Sequence, residues 1–237
     1  MEGFTYSNIF ETKGIEYIII IFFLLILIPF WIIMNRQVSV KKQVKHALDV
    51  LNSAVLKIPQ GLFFSKNHTW VYLEKSGHVK IGIDDFLQKV VGEIQVVPLK
   101  SSGDQVKRGD VLAEITREGR KLKILSPVSG EITENNLEES NLNLGLPESD
   151  PYDKGWFYSL KPTNWKAETS GFFLAEEATK WINAELSRVK DFLNISVAKY
   201  SGDPSMAVLQ EGGELQINPL SEMQPEIWND FQKEFLE

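Results

Sequence analysis

The sequence of 237 residues contains no cysteine and only three histidines, and these shortages exclude several kinds of site. Without cysteine, the chain has no disulfide bond, no thiolate nucleophile and no cysteine-ligated zinc or iron–sulfur centre. His46, His68 and His78 do not have the spacing of paired metal ligands on one helix. We therefore expect neither a metal site nor a metal cofactor.

Basic residues are also fewer than acidic residues. The sequence has 25 lysines and arginines against 32 aspartates and glutamates, which gives a formal net charge of -7. Proteins that bind nucleic acids neutralise phosphates with a basic surface, and no block rich in lysine or arginine is present. A nucleic acid is therefore not an expected partner.

One long hydrophobic run, at residues 17–34, follows a short leader at residues 1–16. At about 1.5 Å per helical residue, this uncharged run is long enough to cross a bilayer core of roughly 30 Å. The leader carries three glutamates rather than a basic region, and no small-residue cleavage site follows, which argues against a cleaved signal peptide. The run predicts a transmembrane helix.

The charges beside this run predict its orientation. Arg36, Lys41, Lys42 and Lys45 follow the run, whereas Lys13 is the only basic residue before it. Basic flanks remain on the cytoplasmic side and also attract anionic headgroups. We expect a single-pass protein of the cytoplasmic membrane, with membrane lipid as one partner and the C-terminal body in the cytoplasm.

Residues 35–58 join this run to the body. Val44, Leu48, Leu51 and Val55 recur there at helical spacing. This periodicity predicts an amphipathic linker helix whose apolar side packs on the body or on the membrane surface.

The body at residues 59–165 is rich in short strand patterns separated by turn residues. This arrangement is typical of a small sandwich or barrel. Asp84 and Asp85 precede a short apolar helical pattern, so helix capping explains them better than an acid–base pair with Glu93. No catalytic residue is predicted.

A hairpin is expected later in the body, with its tip at Glu118 and Gly119. In the strand KLKIL at residues 121–125, lysines alternate with apolar residues. Because successive side chains of a strand point to opposite faces, Lys121 and Lys123 should face solvent.

The C-terminal residues 166–237 are predicted to form an α+β extension. Residues 172–195 carry a helical apolar stripe, and a glycine pair at Gly212–Gly213 lies between two strand patterns. A short terminal helix should begin at Pro225. The predicted fold class is therefore mainly β with α, in which a transmembrane helix precedes a β-sandwich and this extension.

Six short motifs follow one another between residues 60 and 165. They are HTWV (68–71), GIDDF (82–86), GEI (92–94), GDQVKRGD (103–110), SPVSGEI (126–132) and DPYDKGW (150–156). In this order and at these separations they resemble the H protein of the glycine cleavage system. The resemblance implies a lipoyl-type β-sandwich, or barrel-sandwich hybrid, over residues 59–165. His68 matches a histidine of the family pattern, so we expect it to be packed or hydrogen-bonded.

The resemblance also implies where a carrier group would be attached. In the family, a Glu-Ser-x-Lys segment forms the hairpin tip, and its lysine is linked to the lipoate that carries an aminomethyl group. Counting back from SPVSGEI without a gap, the lysine position is Gly119 and the glutamate position is Thr116. The Met-Lys-Met tip of biotin carriers is absent as well. We therefore expect no bound cofactor.

These observations favour a membrane-anchored, non-enzymatic module for protein interaction or assembly, with a protein partner that the sequence does not identify. A basic patch for an acidic partner is predicted around the hairpin tip, at Arg117, Glu118, Arg120, Lys121 and Lys123. Two alternatives stay open. One is an active lipoyl carrier for one-carbon or redox transfer that uses Lys121, and the other is a sensor with a small ligand in the former arm-docking groove.

Overall fold

The computed structural model describes residues 9–34, 50–139, 143–144, 150–200 and 215–237. The chain divides into two compact units, Met1–Leu48 and Asp49–Glu237. The first unit contains helix α1, Ile9–Met34, whose apolar side chains between Tyr17 and Trp31 are exposed. Among the described residues, no helix combines the length and the apolarity needed to cross a membrane. The transmembrane helix at residues 17–34 stays a prediction.

The described residues of the second unit form ten short strands and several helices. The strands are β1 (Phe63–Phe64), β2 (Thr69–Leu73), β3 (Val79–Ile83), β4 (Ile94–Pro98), β5 (Gln105–Val106), β6 (Val111–Arg117), β7 (Arg120–Leu125), β8 (Gly130–Asn135), β9 (Asn143–Leu144) and β10 (Trp156–Pro162). The helices are α2 (Asp85–Val91), α3 (Asn136–Glu139), α4 (Trp165–Glu168), α5 (Ala175–Tyr200) and α6 (Pro225–Phe231), with a 3-10 turn at Pro219–Glu222 and a π-helical turn at Gln232–Leu236.

The strands form two antiparallel sheets that share one hydrophobic core. The larger sheet has the order β1-β2-β3-β10-β8-β5, and the smaller has the order β7-β6-β4-β9. Val71 and Ile81 of the larger sheet and Ile115 and Leu122 of the smaller sheet are fully buried in the same cluster. Alternation along each strand directs these side chains inward. The predicted β-sandwich is confirmed.

Two aspartates lie at the start of helix α2. Asp84 occupies the N-cap, and its carboxylate accepts a hydrogen bond of 2.8 Å from the Leu87 N–H, as capping predicts. Asp85 lies inside the first turn instead, where its carboxylate pairs with the Lys89 ammonium at 2.7 Å and does not cap the helix. The predicted cap is thus confirmed for Asp84 and wrong for Asp85.

The predicted linker helix does not extend to residue 58. Val50 forms a β-bridge with Gln216, and the Leu51 N–H donates to the Leu215 carbonyl at 2.6 Å. The Asn52 side chain then holds a turn by accepting hydrogen bonds from the next backbone amides. These pairings compete with helix formation, so residues 50–58 are irregular. The remainder of the predicted helix, residues 35–49, lies outside the described part.

The C-terminal extension packs onto the sandwich. The apolar stripe predicted for a helix forms α5, and its residues Ile182, Val189 and Leu193 are buried in the shared core. The terminal helix begins at Pro225 as expected, and it continues to Leu236; we call Pro225–Leu236 the C-terminal segment. The predicted hairpin around Gly212–Gly213 lies outside the described residues.

Candidate functional site

The β6–β7 hairpin ends in a tight turn at its predicted tip. Arg117 pairs with Arg120, which leaves Glu118 and Gly119 as the two turn residues. Both have positive φ angles, 49° and 81°, and this combination is characteristic of a type I′ turn. A Cβ atom placed on Gly119 would meet no atom within 4 Å, so the tip is open to solvent.

Arg117 turns inward from the tip and reaches the end of helix α2. Its guanidinium donates a hydrogen bond of 2.8 Å to the carbonyl of Val91, the last residue of that helix. The carbonyls of a final helical turn lack partners within the helix, and a cation stabilises their partial negative charge. A Cβ on the adjacent Gly92 would overlap this guanidinium. Arg117 therefore braces the hairpin against the body.

Arg120 braces the opposite strand of the hairpin. Its guanidinium donates to the Ser221 carbonyl at 2.6 Å and lies 5.8 Å from the centre of the Trp228 ring. It is also 3.8 Å from the Glu118 carboxylate, a long ion pair at the tip. Arg120 is directed towards the C-terminal extension, so neither arginine contributes a free cation to the predicted basic patch.

The two lysines of β7 remain on the surface, as their alternation predicts. The Lys121 ammonium pairs with Glu114 at 2.9 Å, although 63% of the lysine side chain is exposed. The Lys123 side chain is exposed, while its backbone N–H donates to the Gln232 side chain. Of the five residues predicted to bind a partner, Glu118, Lys121 and Lys123 are therefore accessible.

A depression of about 300 Å³ lies beside the tip, between β4 and the end of β6. Glu93, Gln95, Thr116 and Glu118 contribute polar side chains to it, and Gly119 forms part of its rim. Its mixed polar lining resembles ordinary protein surface more than the mainly apolar wall of a small-molecule pocket. The described residues around this depression thus offer no specific feature in favour of a small-ligand sensor at the tip.

His68 is the titratable group with the most unusual surroundings. It is fully buried, its Nδ1 atom lies 2.8 Å from Asp84 Oδ2, and its ring stacks between Phe86 and Trp181. Its Nε2 atom lies 3.7 Å from a Glu185 carboxylate oxygen, within ion-pair range but beyond hydrogen-bond length. Burial alone would lower the pKa of His68, but Asp84 and then Glu185 raise it to about 9.

This arrangement confirms the expected packed and hydrogen-bonded histidine. His68 belongs to the loop before β2, whereas Trp181 and Glu185 belong to α5. The imidazolium therefore joins the sandwich to the C-terminal extension. A sequence could indicate the histidine but not Glu185, because more than a hundred residues separate them along the chain.

The fold and the order of the motifs agree with a comparison against protein families. The model of the family described as glycine cleavage H-protein matches residues 62–185, which is more than half of the chain. The chain belongs to the glycine cleavage H-protein family. Members of this family are lipoyl carriers rather than enzymes themselves, so the chain is not an enzyme.

Individual relatives carry the same name. The probable glycine cleavage system H protein of Thermococcus kodakarensis is 35% identical over 130 residues, which cover 54% of this chain and 94% of the relative. The H protein of Hydrogenovibrio crunogenus is 33% identical over 108 residues, covering 44% and 81%. A crystal structure of an H protein from Mycobacterium marinum is 25% identical, with a TM-score of 0.45 and coverage of 52% of this chain and 98% of that chain.

Proposed function

We propose that this chain is a membrane-attached, non-lipoylated member of the H-protein family that acts as a protein-interaction or assembly subunit of a membrane complex. The observation that carries the proposal is a glycine in the turn where the family pattern has its lipoyl-lysine. Gly119 has no amino group, so lipoate cannot form an amide with its side chain. Without the attached arm, we infer that the fold serves to bind other macromolecules.

The position of Gly119 is supported by the register of the hairpin. Residues 117 and 120 pair directly and close a turn of two residues, so Gly119, the position reached by counting back from SPVSGEI without a gap, lies at the tip. Thr116 then occupies the position of the family's glutamate, and Thr116 pairs across the hairpin with Lys121. In this proposal, both residues of the carrier segment are replaced.

Membership of the H-protein family favours a second candidate, a lipoyl carrier, for which Lys121 is the candidate lysine. The surroundings of this lysine weigh against it. Lys121 lies in the strand that leaves the tip, and its ammonium is paired with Glu114 at 2.9 Å. A ligase that acts on a lysine at the apex of a turn would meet this side chain on the flank of the sheet instead.

Membrane attachment of the chain rests on α1. The large apolar side chains from Tyr17 to Trp31 are each more than two-fifths exposed. A helix that is apolar all round is covered by lipid or protein in its native setting. The basic residues that follow, at Arg36 and residues 41–45, support a cytoplasmic location for the body.

The proposed orientation predicts the behaviour of a reporter fused after Glu237. A reporter that works only in the cytoplasm should be active, because positive charges after the hydrophobic run hold that flank inside. Replacing Arg36, Lys41, Lys42 and Lys45 by serine should weaken this preference. Digestion of the body by a protease added outside intact cells would reverse the assigned orientation.

The interaction role is tested by isolating the full chain from detergent-solubilised membranes. A Lys121→Ser/Lys123→Ser variant should copurify with less partner, and association should become less sensitive to salt, because exposed charges steer encounter. We expect association about threefold to tenfold slower at low salt. Arg117 and Arg120 are left unchanged because they brace the hairpin.

A Lys75→Ser/Lys166→Ser variant is the matched control, since it removes the same charge from two exposed lysines elsewhere on the body. It should behave as the wild type does. Equal partner recovery and equal salt dependence in both variants would show that the lysines of β7 have no part in assembly. Recovery of the wild-type chain alone, without any stoichiometric partner, would contradict the assembly role itself.

A further inference from the structure

The outer face of the smaller sheet carries two apolar side chains beside two lysines. Val97 of β4 opposes Glu114 of β6, and Glu114 in turn opposes Lys123 of β7. Residues that oppose one another directly across strands lie on the same face of a sheet. Lys121 lies two residues before Lys123, and Leu99 lies two residues after Val97. Because side chains alternate along a strand, Lys121 and Leu99 share this face as well.

The strand β4 departs from the pattern of a sheet face that meets water. Val97 is 42% exposed and Leu99 is 47% exposed. Leu99 continues the alternation past the end of β4, because its N–H donates to the Leu112 carbonyl at 3.0 Å. The side of an antiparallel sheet that faces solvent usually carries polar residues, as β7 does at Lys121 and Lys123. The exposed valine and leucine therefore indicate that a second surface covers this part of the face.

The charge beside the apolar pair indicates what kind of surface fits it. The Lys121 ammonium pairs with Glu114 at 2.9 Å, whereas the Lys123 ammonium has no ion pair among the described residues. Two lysines thus share one glutamate on these rows of the sheet. A carboxylate placed beside Lys123 would complement the positive charge that is left over.

The spacing on this face matches a helix that lies along β4. Neighbouring strands are about 4.8 Å apart, so roughly 10 Å separate the apolar residues of β4 from the lysines of β7, two strands away. A helix with its side chains is about 10 Å wide, so one flank of the helix lies over β7. Val97 and Leu99 are about 7 Å apart along the strand, close to the rise of about 6 Å between helical residues i and i+4.

The C-terminal segment leaves this face open. It lies along the edge of β7, where Gln232 exchanges hydrogen bonds with the backbone N–H and C=O of Lys123. Its aromatic residues Trp228 and Phe231 are buried in the core, on the opposite side from the outer face. The Lys121 side chain, by contrast, is 63% exposed. A helix on the outer face therefore leaves the C-terminal segment and its buried anchors in place.

We propose, on the basis of the proposed interaction role, that the outer face of the smaller sheet docks an amphipathic helix of the protein partner. The apolar stripe of this helix covers Val97 and Leu99. One flank of the helix is acidic and lies beside Lys121 and Lys123. The apolar contact contributes affinity by removing surface from water, and the charges set the direction in which the helix lies.

The test measures binding of three capped helical peptides to the purified full chain. The first has leucines at i and i+4 positions and glutamates along one flank. The second replaces its glutamates by lysines, and the third replaces its leucines by serines. The first peptide should bind about tenfold more tightly than either of the others, because each of these lacks one of the two matching features. Added salt should weaken its binding.

The position of the bound helix is read from cross-linking. A photoreactive group that replaces one leucine of the first peptide should label the chain within Ile94–Pro98, the strand β4. A photoreactive group on the flank that carries the glutamates should label β7 instead. Labels confined to the larger sheet would place the peptide elsewhere and contradict the proposed site.

A Val97→Ser/Leu99→Ser variant removes the apolar pair and should bind the first peptide about tenfold more weakly than the wild type does. The matched control is Tyr72→Ser/Leu73→Ser, which removes two apolar side chains of similar exposure from β2 of the larger sheet. The control should bind as the wild type does. Because all of these positions are exposed, each variant is expected to fold.

A Lys121→Glu/Lys123→Glu variant reverses the charge beside the apolar pair. It should prefer the second peptide, and loss of folding cannot produce such a reversal of preference. A Lys75→Glu/Lys166→Glu variant makes the same change of charge at two exposed lysines elsewhere, and it should keep the preference of the wild type.

Equal binding of the three peptides to the wild type, or no binding of any, would overturn the docking site. Unchanged affinity in Val97→Ser/Leu99→Ser would do the same. So would self-association of the wild type through this face without peptide binding, since the occupant would then be a second copy of the chain. Failure of the proposed function has a different signature, which is a lipoyl group on the chain, and the peptide preferences do not depend on it.

Discussion

A Gly119→Lys protein made in a lipoate-replete cell should carry lipoate on the new lysine. The introduced side chain would project from the apex of the turn, where a Cβ meets no atom within 4 Å. The φ of 81° costs a residue other than glycine about 1 kcal/mol, which is small beside the stability of a folded domain. The expected effect is therefore the appearance of a modification that the proposed function predicts to be absent from the wild-type hairpin.

Intact mass and peptide mapping across residues 112–125 measure this outcome. The matched control is Gly109→Lys, which places a lysine on another glycine with positive φ and open space around it. Because that turn lies outside the β6–β7 hairpin, the control should remain unmodified. An unmodified Gly119→Lys protein would show that the hairpin, braced by Arg117 and Arg120, is no longer recognised as a carrier tip.

Removal of His68 should have the largest effect on the pH dependence of stability. In the unfolded chain the pKa of a histidine is about 6.5. In the folded chain, burial lowers the pKa of His68, but Asp84 and Glu185 outweigh this effect and raise the pKa to about 9. The folded state binds the proton more tightly, so this stabilisation is fully present below pH 6.5. It is lost as the pH rises to 9, and the total change is roughly 3 kcal/mol.

Urea unfolding of the full chain, followed by fluorescence between pH 6 and pH 10, measures the effect. The difference in unfolding free energy between wild type and His68→Gln should shrink as the pH rises through this window. His78→Gln is the control, because His78 lies in a turn between β2 and β3. A constant difference between wild type and His68→Gln across the window would show that His68 is neutral in the folded chain.

Local chemistry explains which parts of the hairpin could be predicted from sequence. Glycine tolerates positive φ, so the Glu118–Gly119 pair between two alternating patterns identified the tip. The same alternation identified Lys121 and Lys123 as exposed residues. Each of these features depends on neighbours in the sequence, and the structure agrees with each of them.

The roles of the hairpin arginines depend on distant partners and could not be predicted in this way. Arg117 bonds to a carbonyl 26 residues away, and Arg120 bonds to one 101 residues away. Arginines in a turn are usually exposed to solvent, and for this reason the sequence predicted a basic patch. The linker prediction was wrong over residues 50–58 for the same reason, because Val50 pairs with Gln216 near the opposite end of the chain.

The most direct test of the non-lipoylated assignment is the intact mass of the wild-type chain, purified from cells that lipoylate other H proteins. Peptide mapping across residues 112–125 then locates any added group. We predict the unmodified mass, because the tip residue is Gly119 and the nearest lysine lies along β7, paired with Glu114. A lipoyl group on Lys121 or Lys123 would contradict the assignment and establish the chain as a carrier.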